Sequence, residues 1–201
     1  MGFVIFLLFV FLVLPAIGIM VLIIYLIHKA RKKSKVRKDQ LLERWQVLVE
    51  NGHGSAEDVY DAMIAALEAA QAPGVTWERQ EIQAGAMLTG ESYNGLVVTN
   101  SYMKEFKIYI FAYDYGTALH VAWFLSVQVG FWTGALAAGI LKVSDPRDLV
   151  KFLDIPQELG LSAYVSTVHG AAKGAVGTLM AKLEQDFSKV NTRSKGFLEV
   201  W

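Results

Sequence analysis

The sequence predicts an α+β fold in which a single N-terminal transmembrane helix precedes a cytoplasmic domain. Three observations predict it: an uninterrupted apolar run at the start of the chain, a run of basic residues directly after it, and a later change of hydrophobic period from 3.6 to 2 and back. The chain has 201 residues, 54% of them hydrophobic, and no cysteine. The missing cysteines exclude disulfide scaffolds, thiol nucleophiles and cysteine-ligated metal sites.

Residues 1–28 form the predicted anchor. The 25 positions from Phe3 to Ile27 include 20 Leu, Ile, Val or Phe residues and no ionisable side chain other than Tyr25. As a helix, this run is about 37 Å long, which is enough to cross a hydrocarbon core of about 30 Å with some tilt. A cleaved signal peptide fits less well, because nothing basic precedes the run and its apolar core is too long.

Residues 29–38 form a basic collar with seven bases and no acid: Lys29, Arg31, Lys32, Lys33, Lys35, Arg37 and Lys38. Positive charge is retained on the cytoplasmic side, so we expect the N-terminus outside and the rest of the chain in the cytoplasm. The collar is also expected to contact anionic lipid headgroups, although a stop-transfer flank alone would account for it. The formal net charge of zero is thus a cancellation, since residues 39–201 hold 12 bases and 19 acids. That acidic balance argues against a nucleic-acid partner.

Residues 39–201 are expected to form one domain that begins with two helices. Leu41, Leu42, Trp45, Leu48 and Val49 recur at helical spacing, which predicts that the anchor helix continues to about Glu50. The glycines at 52 and 54 end it, and Ser55 is the predicted N-cap of a second helix that runs to Pro73-Gly74. We expect the two helices to pack as an antiparallel pair.

The middle of the chain predicts an antiparallel sheet of about four strands, flanked by helices. The strands are expected at 75–83, 95–100, 106–113 and 118–129, the last two forming a hairpin. A short helix is expected to start at Ser144, and a longer one to cover 157–190. The glycines at 170, 174 and 177 of that helix indicate a close approach of another element, unless the helix breaks there.

Two apolar segments are predicted to bind partner proteins. One is a loop around Phe131 and Trp132, and the other is the C-terminus, with Phe197, Leu198, Val200 and Trp201. The C-terminus either adds a strand to the sheet edge or docks on another chain. The window 121–141 contains no charge and is a candidate second membrane span, but its alternating first half favours a strand.

The sequence carries no strong catalytic motif and predicts no catalytic residue, metal site or cofactor. His120 is a candidate general base, oriented by Tyr113 or Asp114 across the hairpin, and Ser166 with His169 is a weaker candidate pair. We therefore expect a non-catalytic accessory or assembly subunit of a membrane-associated complex, with other protein subunits and the bilayer as partners. The alternative is a membrane-tethered enzyme or small-ligand-binding domain that uses the sheet face around His120.

Overall fold

The computed structural model describes Met20 and residues 34–36, 41–84, 92–127 and 153–200. The chain divides into two compact units, Met1–Ser34 and Lys35–Trp201. Apart from Met20 and the backbone of 34–36, the predicted anchor and the collar lie outside the described residues, as do Phe131, Trp132 and Trp201. Within the described ranges, no helix is both long enough and apolar enough to cross a bilayer.

Seven strands form one sheet in the order β1-β3-β4-β5-β6-β2-β7. The strands are β1 (Ser34–Val36), β2 (Leu41–Val49), β3 (Val75–Ala84), β4 (Ser92–Asn100), β5 (Phe106–Tyr115), β6 (Ala118–Val127) and β7 (Lys195–Gly196). The pairings from β3 through β7 are antiparallel. The α+β class and the antiparallel sheet are confirmed and all four predicted strands are present, but the expected number of about four is too small, because β1, β2 and β7 also belong to the described sheet.

The prediction of a helix over 41–50 is wrong, because Leu41–Val49 is strand β2. β2 pairs with β6, and one extra residue of β2 is inserted between the pairs Leu41↔Ser126 and Glu43↔Leu125. This bulge buries Leu42 beside the inward-facing Trp45 and Val49. The predicted pair of antiparallel helices at the start of the domain is therefore absent from this part of the described chain.

Two helices, α1 (Ala56–Ala70) and α2 (Ile155–Lys182), cover the same face of the sheet and pack on each other. Ser55 is the N-cap of α1 as predicted, although its side chain makes no capping bond. Asp154 and Gln157 form a reciprocal capping box that starts α2, with a proline in the first turn. α2 ends well before residue 190, and a short 3-10 helix at Phe187–Lys189 follows it.

The main core lies between this helix pair and the sheet. Its β6 members occupy alternate positions of the strand: Leu119, Val121, Trp123, Leu125 and Val127. The close approach predicted at the glycines of α2 is not found. A Cβ at Gly170 or Gly174 would meet nothing within 4 Å, and one at Gly177 would make ordinary contact with Phe187.

The opposite face of the sheet carries a smaller aromatic cluster. Ile82, Val97, Tyr109 and Phe111 are buried there. Three partly buried aromatic residues pack against them: Tyr93, Tyr113 and Phe124. His120 and the outward side chains of β2 lie on the same face, because they alternate with the core positions.

The C-terminal segment, residues 194–200, returns to the outer edge of β2. β7 pairs there through Glu43↔Gly196 and Arg44↔Lys195. The buried carboxylate of Glu43 accepts hydrogen bonds from the Ser194 hydroxyl and from the backbone N–H groups of Leu198 (2.5 Å) and Val200 (3.4 Å). The C-terminal segment thus reaches the sheet edge within its own chain, but the added strand is Lys195–Gly196, which precedes the residues 197–201 for which a strand was expected.

Candidate functional site

An open hollow of about 390 Å³ lies on the aromatic face, at the end of the β5–β6 hairpin; we call it the His120 hollow. It is lined by Gln46, Val47, Leu48, Tyr113, Tyr115 and His120. His120 is central to it because the strand register places its backbone between Leu48 of β2 and Tyr113 of β5. The side chains of Leu48 and Tyr115 are 49% and 70% exposed, so the rim of the hollow is open to solvent.

His120 is the most unusual polar group of this hollow. Its Nδ1 atom is buried and has no hydrogen-bond partner among the described residues. Its ring lies against that of Tyr113, with 5.0 Å between centroids. Burial lowers the pKa of His120 below its ordinary value, so the neutral imidazole is favoured at neutral pH. A neutral, half-buried imidazole with a vacant ring nitrogen is suited to exchange a hydrogen bond or a proton with a small molecule.

Asp114 is not the orienting acid of His120, contrary to the prediction. Its side chain lies on the other side of the turn, where Oδ1 accepts from the Gly54 N–H at 2.9 Å and Oδ2 lies 3.4 Å from Nδ1 of His53. The reason is strand parity, since Asp114 and Tyr113 are adjacent and point to opposite faces of β5. Tyr113 therefore remains as the neighbour of His120, through ring contact.

The second predicted pair, Ser166 and His169, is not brought together as a catalytic pair. Ser166 is exposed, whereas His169 is fully buried. Nδ1 of His169 accepts from the Trp123 indole N–H at 3.1 Å, and Nε2 lies 2.7 Å from the Thr192 carbonyl oxygen. Because a carbonyl only accepts, this arrangement requires the neutral tautomer with its proton on Nε2. His169 also packs edge-on against Trp45, so its role is structural.

The predicted partner-binding residues of the C-terminus divide between the interior and the surface. Val200 is buried and Leu198 is half-buried against the core of its own chain. Phe197 keeps 39% of its surface exposed. Partner binding by this segment stays a prediction that rests mainly on Phe197.

An exposed apolar patch that the sequence analysis did not identify lies at the start of α2. Ile155 and Leu159 are 75% and 65% exposed, and a spacing of four places them on one side of the helix. A Cβ at Gly160 would lie 2.6 Å from Cε of Met103, so the loop that carries Tyr102 lies against the same end of α2. Tyr102 is itself exposed. The available signal was Asp154 followed two residues later by a proline, which marks a helix start and places Ile155 and Leu159 on one side of its first turns.

No group of three or more potential metal ligands occurs among the residues that the structure describes. Comparisons with protein-family models, with curated proteins and with solved structures found no significant match for this chain.

Proposed function

We propose that this chain is a single-pass, non-catalytic accessory or assembly subunit of a membrane-associated complex. In this proposal residues 1–28 anchor the chain with its N-terminus outside, the collar at 29–38 contacts anionic headgroups, and the α+β domain binds partner proteins in the cytoplasm. The observation that carries the proposal is the exposed pair Ile155 and Leu159 at the start of α2. Apolar side chains spaced by four on one helix face are the anchors that a hydrophobic groove of a partner recognises.

The test uses the full chain in its native membrane, with a photo-crosslinking amino acid in place of Ala163, an exposed residue one turn after Leu159 on the same side of α2. We expect adducts with a discrete protein, and we expect Ile155→Glu/Leu159→Glu to abolish them. The new acids are tolerated by the fold because both side chains are exposed and Ile155 lies in the first turn, where the helix dipole favours negative charge.

The matched control is Ser166→Glu/Gly170→Glu, which adds the same two charges at the same spacing on an exposed part of the same helix. The control should retain the adducts. Adducts that persist in the Ile155/Leu159 variant would refute the role of the patch. A chain that leaves mild detergent as a lone monomer and forms no adduct would refute the proposed function.

A second candidate function is small-ligand binding, with or without catalysis, in the His120 hollow. The observation that favours it is the buried, unpartnered Nδ1 of His120 in the wall of an open hollow of ligand size. Phenol and benzoate are suitable NMR probes, because the hollow offers aromatic walls and a hydrogen-bonding imidazole. His120→Ala should abolish binding and His53→Ala should not; equal binding by the two variants would refute this candidate.

A further inference from the structure

A second cavity, of about 200 Å³, lies beside the His120 hollow at the outer edge of β2; we call it the cationic cavity. It is lined by Arg44, Trp45, Gln46, Asn191, Arg193 and Lys195. Three of these six residues are basic and none is acidic. The concentration of positive charge is unusual for this part of the chain, because residues 39–201 carry 19 acids against 12 bases.

Two of the bases are held together by the sheet itself. Arg44 and Lys195 are direct cross-strand partners in the β2–β7 pairing. Like charges directly opposite each other destabilise a pair of strands. A two-residue strand that places a lysine opposite an arginine is therefore an arrangement that a bound anion would stabilise.

The position of Lys195 is fixed by its two neighbours in sequence. Ser194 is buried and donates its hydroxyl to the Glu43 carboxylate. Gly196 adopts a φ of +154°, and a Cβ there would lie 2.3 Å from the Leu42 carbonyl oxygen, so only glycine allows this close approach. The backbone of the segment is thus held on β2 from both sides of Lys195.

The nearby acids leave a net positive charge in the cavity. Glu43 directs its oxygens to the C-terminal segment, where Ser194, Leu198 and Val200 donate to them. Glu199 is paired with Arg193. The donors to Glu43 are neutral, so it keeps its charge, and three bases against two acids leave a net charge of about +1. Among the described residues, Arg44 and Lys195 are then two cations without an acidic partner in one cavity, which suits an anion that can accept from two sides, such as a phosphate monoester.

We propose that the cationic cavity binds a phosphate monoester group, with Arg44 and Lys195 as its principal ligands. Arginine suits this role because its planar guanidinium presents two parallel N–H donors to phosphate oxygens. Asn191 is held in the wall, since its carbonyl accepts from the Trp45 indole at 2.7 Å and its side-chain oxygen accepts from the Arg193 N–H at 3.0 Å. This inference does not rest on the partner-binding function proposed above.

Two features favour a phosphate carried by an amphiphile. The cationic cavity and the His120 hollow share Gln46, so an apolar group attached to the phosphate would lie along Leu48 and Tyr115. Arg44 also follows the last residue of the basic collar, Lys38, by only six residues, a reach of at most about 21 Å of extended chain. A lipid headgroup and a soluble phosphate ester offer the same chemistry to the cavity, and the experiment separates them.

The experiment uses the full chain in neutral maltoside micelles and measures binding by isothermal titration calorimetry. The probes are glycerol 3-phosphate, a short-chain phosphatidic acid and, as the uncharged reference, the matching phosphatidylcholine. We expect both phosphate monoesters to bind and phosphatidylcholine not to bind. Binding of phosphatidic acid at least tenfold tighter than glycerol 3-phosphate identifies a lipid site, and equal binding of the two identifies a site for soluble phosphate esters.

Arg44→Gln/Lys195→Gln should weaken the binding of both monoesters at least tenfold. The control is Lys104→Gln/Lys189→Gln, which removes two exposed charges elsewhere and should bind within twofold of the unmodified chain. Both variants keep the basic collar, so binding there cannot produce a difference between them. A thermal-unfolding scan of each variant verifies folding, and Lys195→Arg, which keeps the charge, should retain binding.

The proposal is overturned if neither monoester binds the unmodified chain. It is also overturned if the Arg44/Lys195 variant binds as tightly as the Lys104/Lys189 control, since the basic collar or another surface would then hold the phosphate.

Discussion

The buried carboxylate of Glu43 is predicted to hold the C-terminal segment on the sheet. Its oxygens accept from one hydroxyl and two backbone N–H groups of that segment, 151 to 157 residues away in sequence. Glu43→Ala removes the acceptor and leaves those donors without a partner. Hydrogen bonds to a charged group contribute about 1.5–3 kcal/mol each.

The expected loss follows from these contacts. The Val200 N–H lies 3.4 Å from the carboxylate and contributes little, so the variant loses two strong hydrogen bonds. Part of this loss of free energy is offset, because the variant has no carboxylate to desolvate on folding. We therefore expect the segment to lose about 2–4 kcal/mol of local stability. A loss of 2 kcal/mol corresponds to about a thirtyfold increase in the population of the open state.

The assay is amide hydrogen exchange of the full chain in detergent micelles, followed by mass spectrometry of peptides that cover 194–200. Exchange there should become at least about thirtyfold faster in Glu43→Ala, while α1 and the β5–β6 hairpin should change little. The control is Glu105→Ala, which removes an exposed carboxylate at a loop. If 194–200 exchanges at the same rate in both variants, the Glu43 contacts do not hold the segment and the reasoning is refuted.

Four further predictions concern His169, Tyr60 and Gly95. His169→Ala should cost about 3–5 kcal/mol in denaturant unfolding, because a fully buried ring is lost and the Trp123 N–H and the Thr192 carbonyl lose their partner. Burial lowers the pKa of His169 in the folded chain, so the unfolded chain takes up this proton first as the pH falls. The free energy of unfolding should therefore decrease below about pH 6.5, and it should decrease less in His169→Gln. The same pH profile in His169→Gln as in the unmodified chain would refute this. Tyr60→Phe should cost about 1–3 kcal/mol, because the Ala112 N–H donates to the Tyr60 hydroxyl at 2.8 Å and would lose that acceptor, and unfolding that matches the unmodified chain would contradict it. Gly95→Ala should cost about 1–3 kcal/mol, since the new Cβ would lie 2.8 Å from the Ile110 carbonyl oxygen, whereas Gly174→Ala on the open face of α2 should be neutral or stabilising.

The central strands could be predicted from sequence because their inward positions alternate without interruption. β2 was missed because its bulge places Leu42 on the core face, so that Leu41, Leu42, Trp45, Leu48 and Val49 imitate a helical period of 3.6. β7 was missed for another reason: a strand of two residues has no period at all, and its position is set by contact with Glu43. The hydrophobic pattern of a segment thus predicts strands and helices whose own residues set their period. It fails where the conformation is set by contacts with residues distant in sequence, as in β7.

The candidate site residues could likewise be predicted where one strand carries the signal, and not where residues distant in sequence form the site. His120 was identified because it lies on the half-polar face of the hairpin strand, and the structure places it in an open hollow. Arg44 and Lys195 were not identified, since the two are 151 residues apart and only the register of β2 with β7 makes them neighbours. Asp114 lies close to His120 along the hairpin, but it follows Tyr113 directly in β5 and therefore points to the opposite face of the sheet.

The ends of the sheet bear on how a partner would bind. The strand order ends in β1, which has three residues, and in β7, which has two. Very short terminal strands discourage the addition of a strand from another chain. On the β7 side, such addition would also have to displace a segment that Glu43 holds by charge-assisted hydrogen bonds. The exposed face of α2 at Ile155 and Leu159 requires no such displacement, so a partner that packs against a helix is favoured over one that extends the sheet.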